Sequence, residues 1–262
     1  MSSRLPLGQA VALGAIQGLT ELVPVSSSAH LTLLPRLLGW GYRDLDPGER
    51  KAFEVALHLG SAPGLALAAR ASPPASVGLL GLTLLPPAVI GFVLEGPIER
   101  RLGGPRTVAL AQLAGGTALW LADRRHGRRE APNARDHLAV GVGQALALAP
   151  GVSRAGAALT AGRLRGLSRP AAAALALNAA IPVTIGAAAL KGFRLARARP
   201  TAEARRAMIA GAGASLATGL VAHRVFRRVA AEGSYTPLAA YRIGFGAVAL
   251  AGTAWRSRSG SR

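Results

Sequence analysis

The sequence predicts an all-α polytopic membrane protein, and three observations support that fold class. Half of the 262 residues are hydrophobic and only 16% are charged, whereas a soluble domain carries about 25% charged residues. Long stretches hold no charge, and their lengths approach the roughly 17–25 residues that cross the hydrocarbon core as a helix. We find no alternating pattern of about ten residues, which would indicate membrane-spanning strands. The uncharged stretches are residues 77–94, 107–122, 170–190 and 207–222.

The charge pattern fits a membrane better than a nucleic acid. The formal net charge is +19, but the arginines lie between the apolar stretches, at residues 123–136, 191–206 and 255–262. Loops of this kind meet anionic lipid headgroups, and they would also attract an anionic substrate. There is no cysteine, so disulfides and thiolate chemistry are excluded.

We interpret residues 1–262 as a single membrane domain of two related halves. Repeat 1 covers about 7–122 and repeat 2 about 138–254, with a basic loop at 123–137 and a basic tail at 255–262. Each half opens with an interrupted segment, 7–38 broken at Pro24 or 138–162 broken at Pro150 and Gly151. Three plain spans follow in each half, near 52–69, 77–94 and 107–122, and near 170–190, 207–222 and 237–254.

The two interrupted segments resemble each other when Gln17 is placed on Gln144 and, with a gap of one residue, Pro24 on Pro150. Paired interrupted segments of this kind indicate a site between repeats. If both segments dip in and return, each half has three crossings and the repeats are inverted. If both cross fully, there are eight spans and the repeats are parallel. The Lys and Arg counts of the loops do not decide between these topologies.

The first segment combines a buried acid with nucleophilic side chains. A carboxylate such as Glu21 in an apolar run is costly and usually faces a cavity or a partner, and Gln17 lies one turn before it on the same face. Pro24 can start a new half-helix whose first N–H groups, with Ser26, Ser27 and Ser28, would bind an anion. Ser27 could attack phosphorus if a base takes its proton, and His30 could transfer a proton. The simpler alternative is a serine helix cap beside two interface residues, but the density of polar groups favours a functional site.

The second segment supplies groups that suit phosphate. Arg154 lies in an apolar segment, and its guanidinium can fork two phosphate oxygens. Gly151 would let the backbone approach an anion closely, with Ser153 beside it. Arg154 could instead reach to lipid headgroups, and Gln144 could bond a substrate oxygen or only a neighbouring helix.

A third candidate pair is Glu54 and His58, which are spaced to share one helix face. They could hold a metal or a proton path. An ordinary ion pair near the membrane surface is the simpler interpretation.

Five motifs occur in an order that resembles the undecaprenyl-diphosphate phosphatase family linked to bacitracin resistance. They are GAIQGLTELVPVSSSAHL, FEVALHLGS, GQALALAPGVSRAGAALT, LSRPAAAALALNAAIPV and PLAAYRIGFGA, between residues 14 and 247. The resemblance implies an enzyme of the bacterial plasma membrane that removes the terminal phosphate of a polyprenyl diphosphate and so recycles the lipid carrier of wall synthesis. It also implies inverted repeats, each a re-entrant interrupted segment plus three transmembrane helices.

By this resemblance, the key catalytic positions are Glu21, Ser27, His30 and Arg154, and Gln17 falls on a position that is Glu or Gln in the family. The resemblance further implies a divalent cation such as Mg²⁺, with Glu21 as a candidate ligand. The chain departs from the family pattern SRSGAT at Ala155 and Ala158, where two hydroxyls are missing. This departure leaves open whether activity is reduced.

Two other functions compete with hydrolysis of a lipid diphosphate. A lipid or anion transporter would use the same inverted repeats and anion site without a nucleophile. Acid-phosphatase-like lipid phosphatases carry Lys-x₆-Arg-Pro, Pro-Ser-Gly-His and Ser-Arg-x₅-His motifs, none of which is complete here. The oligomeric state stays open, with a homodimer among the options.

The two halves should meet at a single cavity. Neither half alone holds both a nucleophile and an anion clamp, and unpaired polar groups cannot face lipid. We therefore expect the side chains of Glu21 and Arg154 to lie within roughly 10 Å of each other, close enough to contact one phosphate.

Overall fold

The computed structural model describes residues 5–70, 76–197 and 200–259. These residues form ten α-helices and one short 3-10 helix and contain no strand; a single bridge pairs Arg129 with Leu167. The all-α prediction is therefore confirmed for this part of the chain. The helices are α1 Leu7–Leu22, α2 Ser27–Leu38, the 3-10 helix Gly41–Asp44, α3 Pro47–Ala69, α4 Val77–Leu102, α5 Pro105–Asp123, α6 Ala134–Leu146, α7 Arg154–Leu164, α8 Arg169–Arg197, α9 Ala202–Glu232 and α10 Thr236–Ser259.

The order of short and long helices repeats once along the chain. Two short helices, α1 and α2 or α6 and α7, are followed by three long ones in each half. The breaks fall where Pro24 and Pro150 interrupt the sequence. Long helices extend beyond the apolar stretches, as α4 does through Arg100 and Arg101 to Leu102.

The outer surface of α4 is suited to lipid. Among its large apolar side chains, Leu85, Val89 and Val93 are exposed and Phe92 is 94% exposed. A contiguous apolar face of this kind is rare on a soluble monomer. Within the described residues, two helical stretches, Gly78–Leu102 and Ala202–Val229, are long and apolar enough to cross a membrane.

Close packing of α1 on α9 depends on small residues. A Cβ at Gly14 would clash with the backbone of Gly211, and one at Gly18 would clash with the carbonyl of Ser215. Helices without side chains at the contact approach closely, which is the usual packing device where no hydrophobic effect drives association. The first interrupted segment is thereby fixed on a helix of the other half.

The second interrupted segment is held in a corresponding way. On α6, His137 hydrogen-bonds to Thr83 of α4 at 2.9 Å, and Gly141 packs on the backbone at Leu82 and Thr83. Helix α4 occupies the same place in the first half as α9 does in the second. Each interrupted segment therefore packs against the second long helix of the opposite half.

The last long helices of the two halves, α5 and α10, pack on each other in opposite directions. Gln112 contacts Arg242 at 2.9 Å. Gly116, one turn later on α5, packs on Ala239, which lies earlier on α10. The contacts thus advance along α5 while they go back along α10.

The basic loop is shorter than the sequence suggested. Helix α5 ends at Asp123 and α6 begins at Ala134, because Asn133 and Asp136 form a reciprocal capping box at the start of α6. Buried Asp136 also accepts two hydrogen bonds from Arg129, at 2.7 and 2.9 Å. This charge-assisted pairing raises the pKa of Arg129 and pins the loop to the helix. Of the expected basic tail, residues 255–259 belong to α10, and 260–262 lie outside the described residues.

Candidate active site

The two chain breaks have the same local geometry. Ser26 and Ser153 have φ of +73° and +71° and are the two non-glycine residues with positive φ in the described part of the chain. Each caps the helix that follows: Ser26 Oγ accepts from Ala29 N–H at 3.4 Å and Ser153 Oγ from Gly156 N–H at 3.1 Å. A side chain in this backbone region is strained, which is a feature of functional segments.

Ser26 and Ser153 occupy equivalent positions in the two segments. Ser153 follows Ser26 by 127 positions, and Gln144 follows Gln17 by the same 127. The match therefore needs no gap, and the proposed alignment of Pro24 with Pro150 was wrong.

Glu21 is the centre of the site and joins both halves. Its Oε1 accepts a hydrogen bond from Arg154 Nη2 at 2.6 Å, and its Oε2 accepts from Ser27 Oγ at 2.8 Å and from Gln17 Nε2 at 3.1 Å. The Glu21 side chain is only 6% exposed, while that of Arg154 is 23% exposed. The expected proximity of Glu21 and Arg154 is confirmed, and a serine hydroxyl, a carboxylate and a guanidinium meet in one place.

His58 joins this cluster from α3, although the sequence favoured an ion pair with Glu54. Its Nε2 lies 3.6 Å from Glu21 Oε2, and its Nδ1 donates to the carbonyl of Glu54 at 2.8 Å. The Glu54 carboxylate turns away and accepts from Tyr42 at 2.7 Å. The two residues share a face as expected, but they do not form an ion pair with each other.

His30 is buried on α2 and points towards α10 rather than towards Ser27. Its Nδ1 lies 2.7 Å from the Ser26 carbonyl and its Nε2 2.7 Å from Tyr241 Oη. Because a carbonyl only accepts, Nδ1 carries the proton and Nε2 accepts from the tyrosine. The ring also stacks on Phe245, with centroids 4.6 Å apart. Both ring nitrogens are thus engaged outside the Glu21 cluster.

The two breaks touch directly. Gly151 N–H donates to Ser28 Oγ at 3.2 Å, and Ser28 Oγ lies 3.2 Å from Ser26 Oγ. Gly151 has φ of +99°, and a Cβ there would clash with the backbone of Val108 on α5, so this turn needs glycine. Of the three consecutive serines, Ser26 and Ser28 bond within and between the breaks, and Ser27 bonds to Glu21.

A buried pair that sequence reasoning overlooked braces both breaks. Arg242, which is 0% exposed, donates to Gln112 at 2.9 Å and to the carbonyls of Gly151 and Val152 at 3.1 and 2.7 Å. Gln112 in turn donates to the carbonyl of Val25 at 2.7 Å. The position of Arg242 inside an apolar span could have indicated this pair from the sequence, because an arginine there needs a polar partner.

Two buried glutamines have unused hydrogen-bonding groups. Gln17 Oε1 and both amide atoms of Gln144 are buried without a hydrogen-bond partner. Gln17 donates to Glu21 through its Nε2, while its Oε1 stays without a partner. No partner is identified for the Gln144 amide, which leaves both of its sequence-based interpretations open.

Glu21 and Gln17 are the residues that would hold a divalent cation if phosphate oxygens completed its coordination. The described part of the chain contains no group of three or more His, Cys, Asp or Glu side chains arranged for a metal. The oxygens available near Ser27 are those of the Glu21 carboxylate and the unpartnered Gln17 Oε1. Mg²⁺ is commonly bound through one or two carboxylates together with substrate phosphates.

Comparison of the sequence with known proteins finds one family along most of the chain. Residues 10–248 match the profile of the family described as bacitracin resistance protein BacA. An undecaprenyl-diphosphatase of Chromohalobacter salexigens is 37% identical, over 92% of this chain and 96% of the relative. One from Moorella thermoacetica is 36% identical, over 93% and 96%. Undecaprenyl-diphosphatase 2 of Stutzerimonas stutzeri is 32% identical, over 94% and 98%.

Proposed function

The chain belongs to the BacA family, and from that premise we propose that it hydrolyses undecaprenyl diphosphate to undecaprenyl phosphate and inorganic phosphate. One observation carries this proposal beyond the family match. A serine hydroxyl bonds to a buried carboxylate, and an arginine from the other half bonds to the same carboxylate. This is the set of groups that attack on a phosphate requires: a nucleophile, a base and an anion clamp.

The proposed reaction begins with Ser27. Its Oγ gives its proton to Glu21, 2.8 Å away, and forms a bond to the terminal phosphorus. The bond from that phosphorus to the bridging oxygen breaks, and undecaprenyl phosphate leaves with the bridging oxygen and its electron pair. Water then forms a bond to the phosphorus of the phosphoserine, and the bond from phosphorus to Ser27 Oγ breaks. Ser27 Oγ takes back the proton held by Glu21, and inorganic phosphate leaves with the hydroxyl and the second proton of the water.

Arg154 supplies positive charge next to the phosphoryl group, where negative charge develops during the reaction. In the substrate-free arrangement one nitrogen of its guanidinium donates to Glu21 at 2.6 Å. The remaining N–H groups can bind two oxygens of the transferred phosphoryl group, a bidentate geometry that lysine cannot match. The cost of removing one such donor from a preorganised site is about 10²–10³ in turnover.

His30 acts as a positioning residue in this proposal. Its Nδ1 proton holds the carbonyl of Ser26 at 2.7 Å, directly before Ser27. Tyr241 fixes the other ring nitrogen at 2.7 Å. A divalent cation bound by Glu21 and Gln17 would neutralise charge on the diphosphate.

We place the protein in the bacterial plasma membrane as a multi-pass enzyme with inverted repeats. The opposite directions of α5 and α10 support the inversion, because they are equivalent helices of the two halves. The exposed apolar face of α4 supports the membrane placement. The polyprenyl tail should then leave the site sideways between helices, since burial of each CH₂ contributes about 0.8 kcal/mol.

The experiment is phosphate release from a long-chain prenyl diphosphate by the purified protein, with and without Mg²⁺. We expect release by the wild type and none above background by Ser27→Ala. A carrier would need the anion site but no nucleophile. Transport of the lipid by a Ser27→Ala variant, with no phosphate released by the wild type, would overturn the proposal in favour of the transporter.

A further inference from the structure

A cavity rich in arginine lies away from Glu21, at the other end of α2. Its volume is about 530 Å³. The lining comes from α2, the 3-10 helix, the turn between α4 and α5, and α10. Five of the residues around it are arginines and none is acidic: Arg36, Arg43, Arg100, Arg101 and Arg106. Like charges this close repel each other, and a bound anion would offset that repulsion.

The carboxylates near this cavity offset only part of its positive charge. Glu99, which directly precedes Arg100, pairs with Lys51 of α3 at 2.5 Å. Arg43 bonds to Asp44 at 3.3 Å across two well-exposed side chains, an interaction worth little in water. Arg36 gives one N–H to the carbonyl of Thr32 at 3.1 Å. Most of the donor capacity of these two guanidinium groups is left for a ligand.

The start of α5 adds a second source of positive potential. This 19-residue helix begins at Pro105 after Gly104, and no side chain caps its first turn. Both residues line the cavity. Uncapped N–H groups at a helix N-terminus favour an anion.

The floor of the cavity indicates what kind of anion it accepts. Leu33, Leu37 and Ala249 line it, and Leu38 and Leu102 beside it are 56% and 40% exposed. Arg36 is nine residues after Ser27, which is roughly 14 Å along the helix at 1.5 Å per residue. That distance is about one leaflet of the hydrocarbon core. The arginines therefore lie at headgroup depth if Ser27 lies near the middle of the bilayer.

We propose that this cavity binds the headgroup of an anionic glycerophospholipid, with the phosphate among the arginines and the start of an acyl chain on the leucine floor. Basic pockets between membrane helices are suited to such headgroups. A free phosphate has no apolar part that could contact Leu33 and Leu37. The proposal depends on the membrane placement but not on the hydrolytic reaction.

The test is lipid retention by the purified full-length protein, measured by native mass spectrometry after mixing with phosphatidylglycerol or phosphatidylcholine. We expect bound phosphatidylglycerol in preference to phosphatidylcholine. Retention should fall by about tenfold or more in Arg100→Gln/Arg101→Gln, since each arginine at the surface contributes about 1 kcal/mol. The matched control is Arg205→Gln/Arg206→Gln, an exposed pair at the start of α9, which should retain the lipid.

Three outcomes would overturn the proposal. They are equal retention of both lipids, equal loss of phosphatidylglycerol in the control pair, and displacement of the lipid by inorganic phosphate at millimolar concentration. The last result would assign the cavity to free phosphate. Thermal unfolding of each variant in the same detergent shows that the fold is intact, and Arg43→Gln provides a second lining variant if the double variant unfolds. Because the readout is lipid binding, its failure is separate from failure of phosphate release.

Discussion

The two interrupted segments share a backbone and differ in chemistry. Both have a glutamine, a break and a serine cap at equivalent positions, 127 residues apart. At the other equivalent positions Glu21 is matched by Leu148 and Ser27 by Arg154. One segment therefore carries the proposed base and nucleophile, and the other carries Arg154, which we propose binds the phosphate.

This asymmetry explains why one composite site is formed rather than two. Leu148 packs near Gly91 of α4 and offers no carboxylate to a second centre. Without an acid, Gln144 has no counterpart of the bond that Gln17 makes to Glu21. The two interrupted segments thus share one backbone arrangement. Different residues at two or three equivalent positions give each segment a separate role.

The largest effect should come from Glu21, the proposed base. Glu21→Gln keeps the shape of the side chain but removes its charge and replaces one of its two acceptor oxygens with an NH₂ donor. Phosphate release should therefore fall by about 10³-fold in a variant that is still folded at the assay temperature. The matched control is Leu148→Met in the other segment, which should stay within about twofold because volume-conserving swaps are well tolerated. Full activity of Glu21→Gln would reduce Glu21 to an interface residue.

The next largest effect should come from Arg154, which we propose binds the phosphate. Arg154→Lys should lose nearly as much turnover as Arg154→Ala, about 10²–10³-fold, because an ammonium cannot bind two oxygens in a fork. Steady-state kinetics on the prenyl diphosphate would measure both variants. Exposed Arg135, at the start of α6, provides the control Arg135→Lys, which should behave as wild type. Near-normal turnover of Arg154→Lys would count against bidentate binding.

The brace between the breaks should have a smaller but measurable effect. Arg242→Met removes the donor that holds the carbonyls of Gly151 and Val152, which leaves buried acceptors unpaired at a cost of about 3 kcal/mol in stability. If Arg154 is displaced by about 1 Å as a result, kcat should fall by roughly 10²-fold. Assays well below the unfolding temperature separate the two effects. Unchanged kcat there would show that the brace only stabilises the fold.

The smallest effects should be equal in the two segments. Ser26→Ala and Ser153→Ala each remove one helix cap, so each should lower the free energy of unfolding by about 1 kcal/mol, or roughly 2–4 °C in unfolding temperature. Parallel thermal denaturation in one detergent would measure both. A large difference between them would mean that the two breaks are not structurally equivalent.

Local chemistry determined much of this protein from sequence alone. Pro24 and Pro150, each followed closely by serine in an apolar run, marked the breaks, because proline removes a helix hydrogen bond. Proline alone was not enough, since Pro63 and Pro182 lie inside helices. The four-residue spacing of Gln17 and Glu21 put them on one face, and their 3.1 Å hydrogen bond confirms it. The cost of a carboxylate and a guanidinium in lipid required them to meet, and they do at 2.6 Å.

Tertiary packing decided what no local pattern encodes. It set the gap-free register of the segments, brought His58 to Glu21 and directed His30 to Tyr241, 211 positions away. It also joined Arg242 to carbonyls of the second break, about 90 positions earlier. These contacts depend on how closely helices approach, and that is set by glycine faces such as Gly14 against Gly211. Small residues specify a distance between helices but not which helices meet, so the partners became clear only in the folded chain.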